Sequence, residues 1–371
     1  MSTPNFANEA AWIKEAKGRI VVGPADTPVP GPGEILVKVR VVVSVKTPTN
    51  LLTCMQTEAI AFHPLDTKLQ LFNFFDLPYP AIFGASIGGT VVSVGPGVEH
   101  LKVDDAIVAT TPTYFRRDYR FGTFQKYALV VARNAVKVTG NGYSVLEAVT
   151  VPTQGTVAAF ALGVASALPR RPNTAAQKTT ETVLIWGAGS SVGTYAVQYA
   201  AQAGYTVVAT ASTSTPGETD RVKALGATHV IDYRQSPEEV VAALAPYAPY
   251  AVVLDSVTVP ASLAAVSKLL VQTQPDETKR LVRALGMDAQ KVVDPSVKVE
   301  SIPYVKLSFD HATHGDFVDY LSKDWFANGI ENKSIIPQKP QIVEGGLDKV
   351  QECLDLVLKV KIAQVVLKLT N

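Results

Sequence analysis

Between residues 182 and 255, short apolar runs alternate with helical patterns at a nearly even spacing. They read "TVLIW", "SVGTYAVQYAAQAG", "TVVATAS", "DRVKALG", "HVIDY", "PEEVVAALA" and "AVVLDSV". Strand, helix and strand in this rhythm lead to right-handed crossovers and a parallel sheet, so this half of the chain is predicted to be a doubly wound α/β domain.

The preceding part follows another rule. From about Arg19 to Thr150 the sequence shows short valine-rich strands broken by Gly and Pro, as in "EILVKVRVVV" and "GGTVVSVGPGVEHLKVDDAIVAT". Turns at Gly95, Pro96 and Gly97 predict an antiparallel, partly barrel-like domain. The polar stretch "LPRRPNTAAQKTTE", residues 168–181, contains Pro169 and Pro172 and reads as an exposed loop before the first parallel strand. The predicted division is 1–150, 151–305 and 306–371.

With 371 residues, 47% of them apolar and 18% charged, the chain can bury two cores and is too apolar for disorder. A net charge of +1 with dispersed Lys and Arg gives no electrostatic footprint for nucleic acid. Cys54 and Cys353 are far apart, and no Cys/His cluster offers the three or four ligands of a zinc site. No stretch reads as a membrane span or a leader, so the expected setting is a reducing one, by default the cytosol.

"VLIWGAGSSVG", residues 183–193, ends a buried-looking strand in glycine and serine and opens a helix. In that context Gly187 permits the tight turn, Gly189 a close backbone approach to a pyrophosphate, and Gly193 close helix–strand packing. The helix N-terminus, at Ser190, Ser191 and Val192, then presents N–H groups to the anion. The Gly-x-Gly-x-x-x-Gly spacing is one residue longer than the common fingerprint. By itself it also suits a purely structural turn.

An NAD site places an acid at the end of the second strand. Here "VVATASTSTPGE" puts small hydroxyl residues there, with Ser212 the candidate, and NADPH is the expected cofactor because no carboxylate repels a 2′-phosphate. Arg221 and Lys223 on the next helix either approach that phosphate or form a solvated face. Glu218 opposes the NADPH reading.

With "RVKALGATHVIDYR", "WGAGSSVG", "GGTVVSVGPGVEHLKVDD" and "EGGLDKVQECLDLV", the chain resembles the zinc-independent quinone-reductase and fungal enoyl-reductase branch of the medium-chain dehydrogenase/reductase superfamily. The resemblance implies a GroES-like catalytic domain, a Rossmann domain, a C-terminal return to the catalytic domain, and NADPH. Zinc enzymes of the superfamily carry Gly-His-Glu where this chain has Gly84, Ala85 and Ser86.

The trans-acting enoyl reductases of fungal polyketide synthases carry Asn-Pro-x-Asp-x-Lys; here "HPLDTK", residues 63–68, matches it at Pro64, Asp66 and Lys68, with His63 in place of the asparagine. The correspondence implies that Lys68 acts in catalysis, that Thr156 faces the nicotinamide, that Tyr233 lies against the adenosine half, and that Asp255 sits at the cofactor cleft. Without it, Lys68 reads as a surface lysine on a helix begun by Pro64, with Asp66 as first-turn acid. The implied activity is NADPH-dependent reduction of an α,β-unsaturated thioester, carrier-bound and supplied by a polyketide synthase. The alternatives are a quinone or free-enone reductase of the same fold, and a non-redox member that binds a polyketide.

The chain departs from the branch at Thr156-Val157-Ala158, at "VQTQPDETKRLVRALG" and at "KVKIAQVVLKL". About eighteen residues, 40–57, separate "ILVKV" from "EAIAFHPLDTK", either as a retained intron or as a loop insertion. "HATH" lacks the spacing of a zincin helix. The aromatic run 71–80 either packs or lines an apolar pocket. Arg116, Arg117 and Arg120 form an exposed loop or meet a carrier's phosphate.

Overall fold

The computed structural model describes residues 7–38, 41–45, 53–173, 178–284, 292–301, 303–359 and 364–369. The chain divides into two compact units, one of residues 1–153 and 306–371 and the other of 154–305.

The second unit is the doubly wound domain. Six parallel strands stand in the order His229–Asp232, Thr206–Ala211, Thr182–Trp186, Tyr250–Asp255, Arg280–Arg283, Lys298–Glu300. Numbered along the chain this is 3-2-1-4-5-6, the order that reverses direction beside the first strand and opens a crevice at the carboxyl ends. The inner strands Thr182–Trp186, Thr206–Ala211 and Tyr250–Asp255 are buried along most of their length, whereas the outer Lys298–Glu300 is charged and partly exposed. Leu184 and Val253, for example, lie in one buried cluster with Val266 and Leu269 of the helix Pro260–Thr273.

The first unit is antiparallel for most of its length. Nine strands join in one sheet, with Ser86–Val94 paired to Ala106–Thr110, to Glu34–Lys38 and to Thr53–Ala61. A smaller sheet holds Asn8–Ile13 between Ile20–Ala25 and Ala81–Ile82. The C-terminal strand Gln364–Leu369 enters the large sheet antiparallel to Thr53–Ala61, and Pro340–Gly345 pairs with it in parallel. Residues 306–371 are thereby tied to the first unit through main-chain hydrogen bonds.

Within the stretch 40–57, Val41–Val45 pairs as a hairpin with the start of Thr53–Ala61, and residues 46–52 lie outside the described residues. Residues Val145–Ala165 form a helical stretch long and apolar enough, by length and composition, to pass for a membrane span. Its most apolar window is 78% buried within the protein, which is how a core helix reads.

Candidate active site

The strand Thr182–Trp186 leads straight into the glycine loop. Gly187 has φ +83°, and a Cβ there would stand 2.3 Å from Val257 Cγ2, so backbone conformation and space both demand glycine. A Cβ on Gly193 would lie 2.2 Å from the Gly187 carbonyl oxygen, which is the close strand–helix approach expected of the third glycine.

Ser190 caps the helix Ser191–Gln202. Its Oγ accepts from the Gly193 N–H at 3.0 Å and lies 2.8 Å from Ser256 Oγ, so this hydroxyl is committed to the loop itself. The N–H groups of Ser191 and Val192 belong to the first helical turn, which has no intrahelical acceptors, and both residues are half-buried. A half-buried Gly189 precedes them. These are the donors and the bare backbone that a pyrophosphate requires.

The edge of the second strand carries hydroxyls and one cation. Ser212 Oγ lies 2.8 Å from Thr215 Oγ1, and Thr213 donates to Asp232 Oδ2 at 2.6 Å. Arg234, adjacent to the exposed Tyr233, is held by Asp232 at 3.3 Å and reaches Ser214 Oγ. Nothing in the linear sequence singles out this arginine, although it stands in "IDYR"; only the fold brings the third strand's end beside the second's.

Arg221 has its partner at the glycine loop. It donates twice to the buried Glu218, at 2.8 Å to each oxygen, and a Cβ on Gly189 would lie 2.5 Å from Glu218 Oε1. The pair closes against the glycine loop, so the Glu218 charge is answered locally.

Asp255 also differs from expectation. It is fully buried, and its Oδ1 accepts from the N–H groups of Val257 and Thr258, each at 2.9 Å, while Ser262 donates to Oδ2 at 2.5 Å. Burial pushes its pKa up, against these hydrogen bonds. The carboxylate fixes the turn into the helix Pro260–Thr273 and is not offered to a ligand. Thr156 is buried on the helix Pro152–Ala159, which carries the chain from the first unit into the second.

In the first unit the strand Thr53–Ala61 runs into the helix Pro64–Phe72. Asp66 at its third position accepts from the His63 N–H at 2.7 Å and from the Tyr114 hydroxyl, and Tyr114 in turn accepts from the Gly84 N–H at 2.9 Å. Burial of Asp66 drives its pKa to about 7, against the pull of Tyr114 and His63.

Beside it runs a second buried chain of polar groups. Gln364 donates to His63 Nδ1 at 3.1 Å, which leaves Nε2 to donate to Ser86 Oγ at 2.5 Å, and Ser86 meets Thr153. Burial holds His63 near 3, as the neutral imidazole. Both ring nitrogens are committed to protein partners.

Lys68 stands apart from this network. It is half-buried on the opposite side of the same helix and, among the described residues, makes no hydrogen bond or ion pair. Leu71 and Phe72, one turn further, are exposed, as is Phe74, whereas Phe75 packs on the core. Part of the aromatic run therefore packs, as expected, and part faces outward.

The profile of the alcohol dehydrogenase GroES-like domain matches residues 31–140, and that of the zinc-binding dehydrogenase matches 191–273. The trans-enoyl reductase himH of Aspergillus japonicus is 30% identical over 95% of this chain and 94% of its own length. The chain belongs to the medium-chain dehydrogenase/reductase superfamily. It is an enoyl-reductase-like member of that oxidoreductase family. Among solved structures, the CurK enoyl reductase has a TM-score of 0.69 at 17% identity, covering 98% of this chain and 99% of its own. The mycobacterial Rv1454c complexed with NADPH also scores 0.69, at 18% identity over 97% and 99%. Both likenesses concern the fold.

Proposed function

We propose that the protein is an NADPH-dependent reductase of the carbon–carbon double bond of an α,β-unsaturated thioester, working without zinc. The observation that carries this reading is the end-to-end similarity to a trans-enoyl reductase. A carrier-bound thioester from a polyketide synthase is the proposed substrate, following the same resemblance.

The residues suit the cofactor. The Gly187–Gly193 loop and the Ser191 and Val192 N–H groups would hold the pyrophosphate, and Ser212, Tyr233 and Arg234 would take the adenosine end and its 2′-phosphate. When bound, NADPH supplies a hydride. Zinc has no support: Ala85 and Ser86 replace two residues of the metal-bearing motif, and His63 is occupied at both nitrogens.

Reduction of an enoyl thioester at its β-carbon builds negative charge on the thioester oxygen and leaves the α-carbon needing a proton. An unpaired ammonium can stabilise the first and relay the second. Lys68 is the proposed group, because its ammonium has no competing partner among the described residues. Asp66, two residues away, is enclosed by His63 and Tyr114 and positions the helix.

The test is loss of NADPH absorbance with a crotonyl thioester, then with a simple quinone. Turnover of the thioester is expected. Turnover of the quinone alone would transfer the assignment to quinone reduction, and turnover of neither would point to a binding role.

A further inference from the structure

The helix His311–Tyr320, which carries "HATH", helps to form a groove in the first unit, together with residues around 32–34, 97–100, 116 and 131–133. Its volume is about 420 Å³, within the range of small-molecule sites. The charged lining is uneven. Arg116, Arg133 and Lys323 face Glu34 and Asp319, and the imidazoles of His100 and His311 stand among them.

Both acids are shared. Asp319 takes Arg133 on its two oxygens, at 2.9 and 2.8 Å, and Lys323 at 3.3 Å. Glu34 takes Arg116 at 3.2 Å and the Gly31 N–H at 3.0 Å. One positive charge is left over before either histidine is protonated. Three further acids lie outside the lining: Asp310 caps the helix through Thr313, Asp316 lies toward Arg133, and Asp118, paired with Arg120, lies toward Arg116, so the excess is that of the lining residues themselves.

Hydrogen bonds also orient both histidines. Asn134 donates from Nδ2 to the Ser308 carbonyl at 3.0 Å, so its Oδ1 accepts from His311 Nε2 at 2.9 Å. His100 Nε2 donates to the Ala132 carbonyl at 3.1 Å. In each ring Nδ1 is the site that takes a second proton. Burial, then Arg133 and Arg116, hold His311 below its ordinary pKa, with Asp319 and a hydrogen bond to the Ser308 backbone acting in the opposite sense. Two guanidinium groups beside an imidazole on a concave surface form a site that an anion would complete.

We propose that this groove binds a phosphate group, either inorganic phosphate or a phosphate monoester, through Arg116 and the protonated imidazoles of His311 and His100. A phosphate dianion neutralises the excess charge and offers acceptors to the guanidinium, and the remaining volume accommodates the organic part of an ester. The site is in the first unit, separate in sequence and unit from the glycine loop, and does not depend on the reading of the redox site.

The experiment is a histidine NMR titration of the full chain, whose five histidines keep the spectrum simple. It is run in inorganic phosphate, in glycerol 3-phosphate, and in chloride of matched ionic strength. Saturating phosphate is expected to raise the apparent pKa of His311 by about one unit, equivalent to about tenfold tighter binding to the imidazolium, and to raise His100 in the same direction. Affinity should weaken about tenfold in Arg116→Gln. Tighter binding of glycerol 3-phosphate identifies an ester as occupant, and the reverse identifies the free anion. Unmoved resonances of His311 and His100 in the wild-type protein, or unchanged affinity in Arg116→Gln, would overturn the proposal.

Discussion

At the scale of single residues, the structure separates two neighbours that the motif "HPLDTK" places side by side. Asp66 is enclosed by its own helix start and by Tyr114, whereas Lys68 keeps an ammonium with no competing partner among the described residues. Lys68→Ala should therefore leave NADPH affinity nearly unchanged while turnover drops by about 10²-fold or more, the scale of losing one oxyanion donor. Stopped-flow turnover and fluorescence titration of the same preparation check this, and undiminished turnover would make Lys68 a surface residue. Arg234 makes a separate case. Arg234→Gln is expected to weaken NADPH about tenfold or more and to leave NADH nearly unaffected, since only the former carries a 2′-phosphate for the guanidinium. Equal losses for both dinucleotides would remove Arg234 from that role.

At the scale of elements, the start of the helix Pro64–Phe72 couples two titrations of opposite sign. Asp66 is raised to about 7 in the folded protein, from an unfolded value of about 4. Between those values the native state binds the extra proton, so this group's contribution to stability falls as pH rises. His63 is lowered from 6.5 to about 3, so the unfolded state binds the extra proton and its contribution rises with pH. From about pH 4 to 6.5 the two slopes, each about 1.4 kcal/mol per pH unit, oppose one another. Asp66→Asn removes one of them. Relative to wild type, the variant should gain stability with rising pH across that window, measured by urea unfolding at several pH values. Parallel profiles would show that burial does not hold Asp66 protonated. The glycine loop supports a simpler prediction. Gly193→Ala drives a methyl group toward the Gly187 carbonyl and should cost about 1–3 kcal/mol, with weaker dinucleotide binding as the helix backs away from the strand. Thermal unfolding with and without NADPH reads both effects.

At the scale of the whole molecule, the last strand completes a sheet begun some three hundred residues earlier. Leu367 is fully buried opposite Ile60, and Val366 opposite Ala61, the strand that feeds the candidate catalytic helix. Gln364 of the same strand holds His63. Leu367→Ala should destabilise the first unit by about 2–5 kcal/mol, the range for truncating a well-packed leucine. Denaturant unfolding monitored by tryptophan fluorescence gives the value. A loss below 0.5 kcal/mol would mean that this strand adds little to the sheet.

The sequence alone determined the features that local chemistry controls. Alternating apolar runs specified the parallel sheet, because a strand covered on both faces must be apolar throughout. Gly187 and Gly193 announced the tight loop, because no side chain fits there. Pro64 and Asp66 announced a helix start, a short-range matter of φ and an acceptor for early N–H groups. Tertiary structure decided whatever depends on which segments meet. Asp255 reads as a cleft acid from its place at a strand end, but the turn that follows folds back and takes both carboxylate oxygens. Arg221 and Arg234 are equally basic on paper; one is paired with buried Glu218 at the glycine loop, and the other, paired with Asp232, is brought to the hydroxyl-lined edge of the second strand. Val145–Ala165 has the composition of a span, and only packing marks it as core. Lys68 is legible as a candidate by motif, but that its ammonium has no partner among the described residues is visible only in three dimensions.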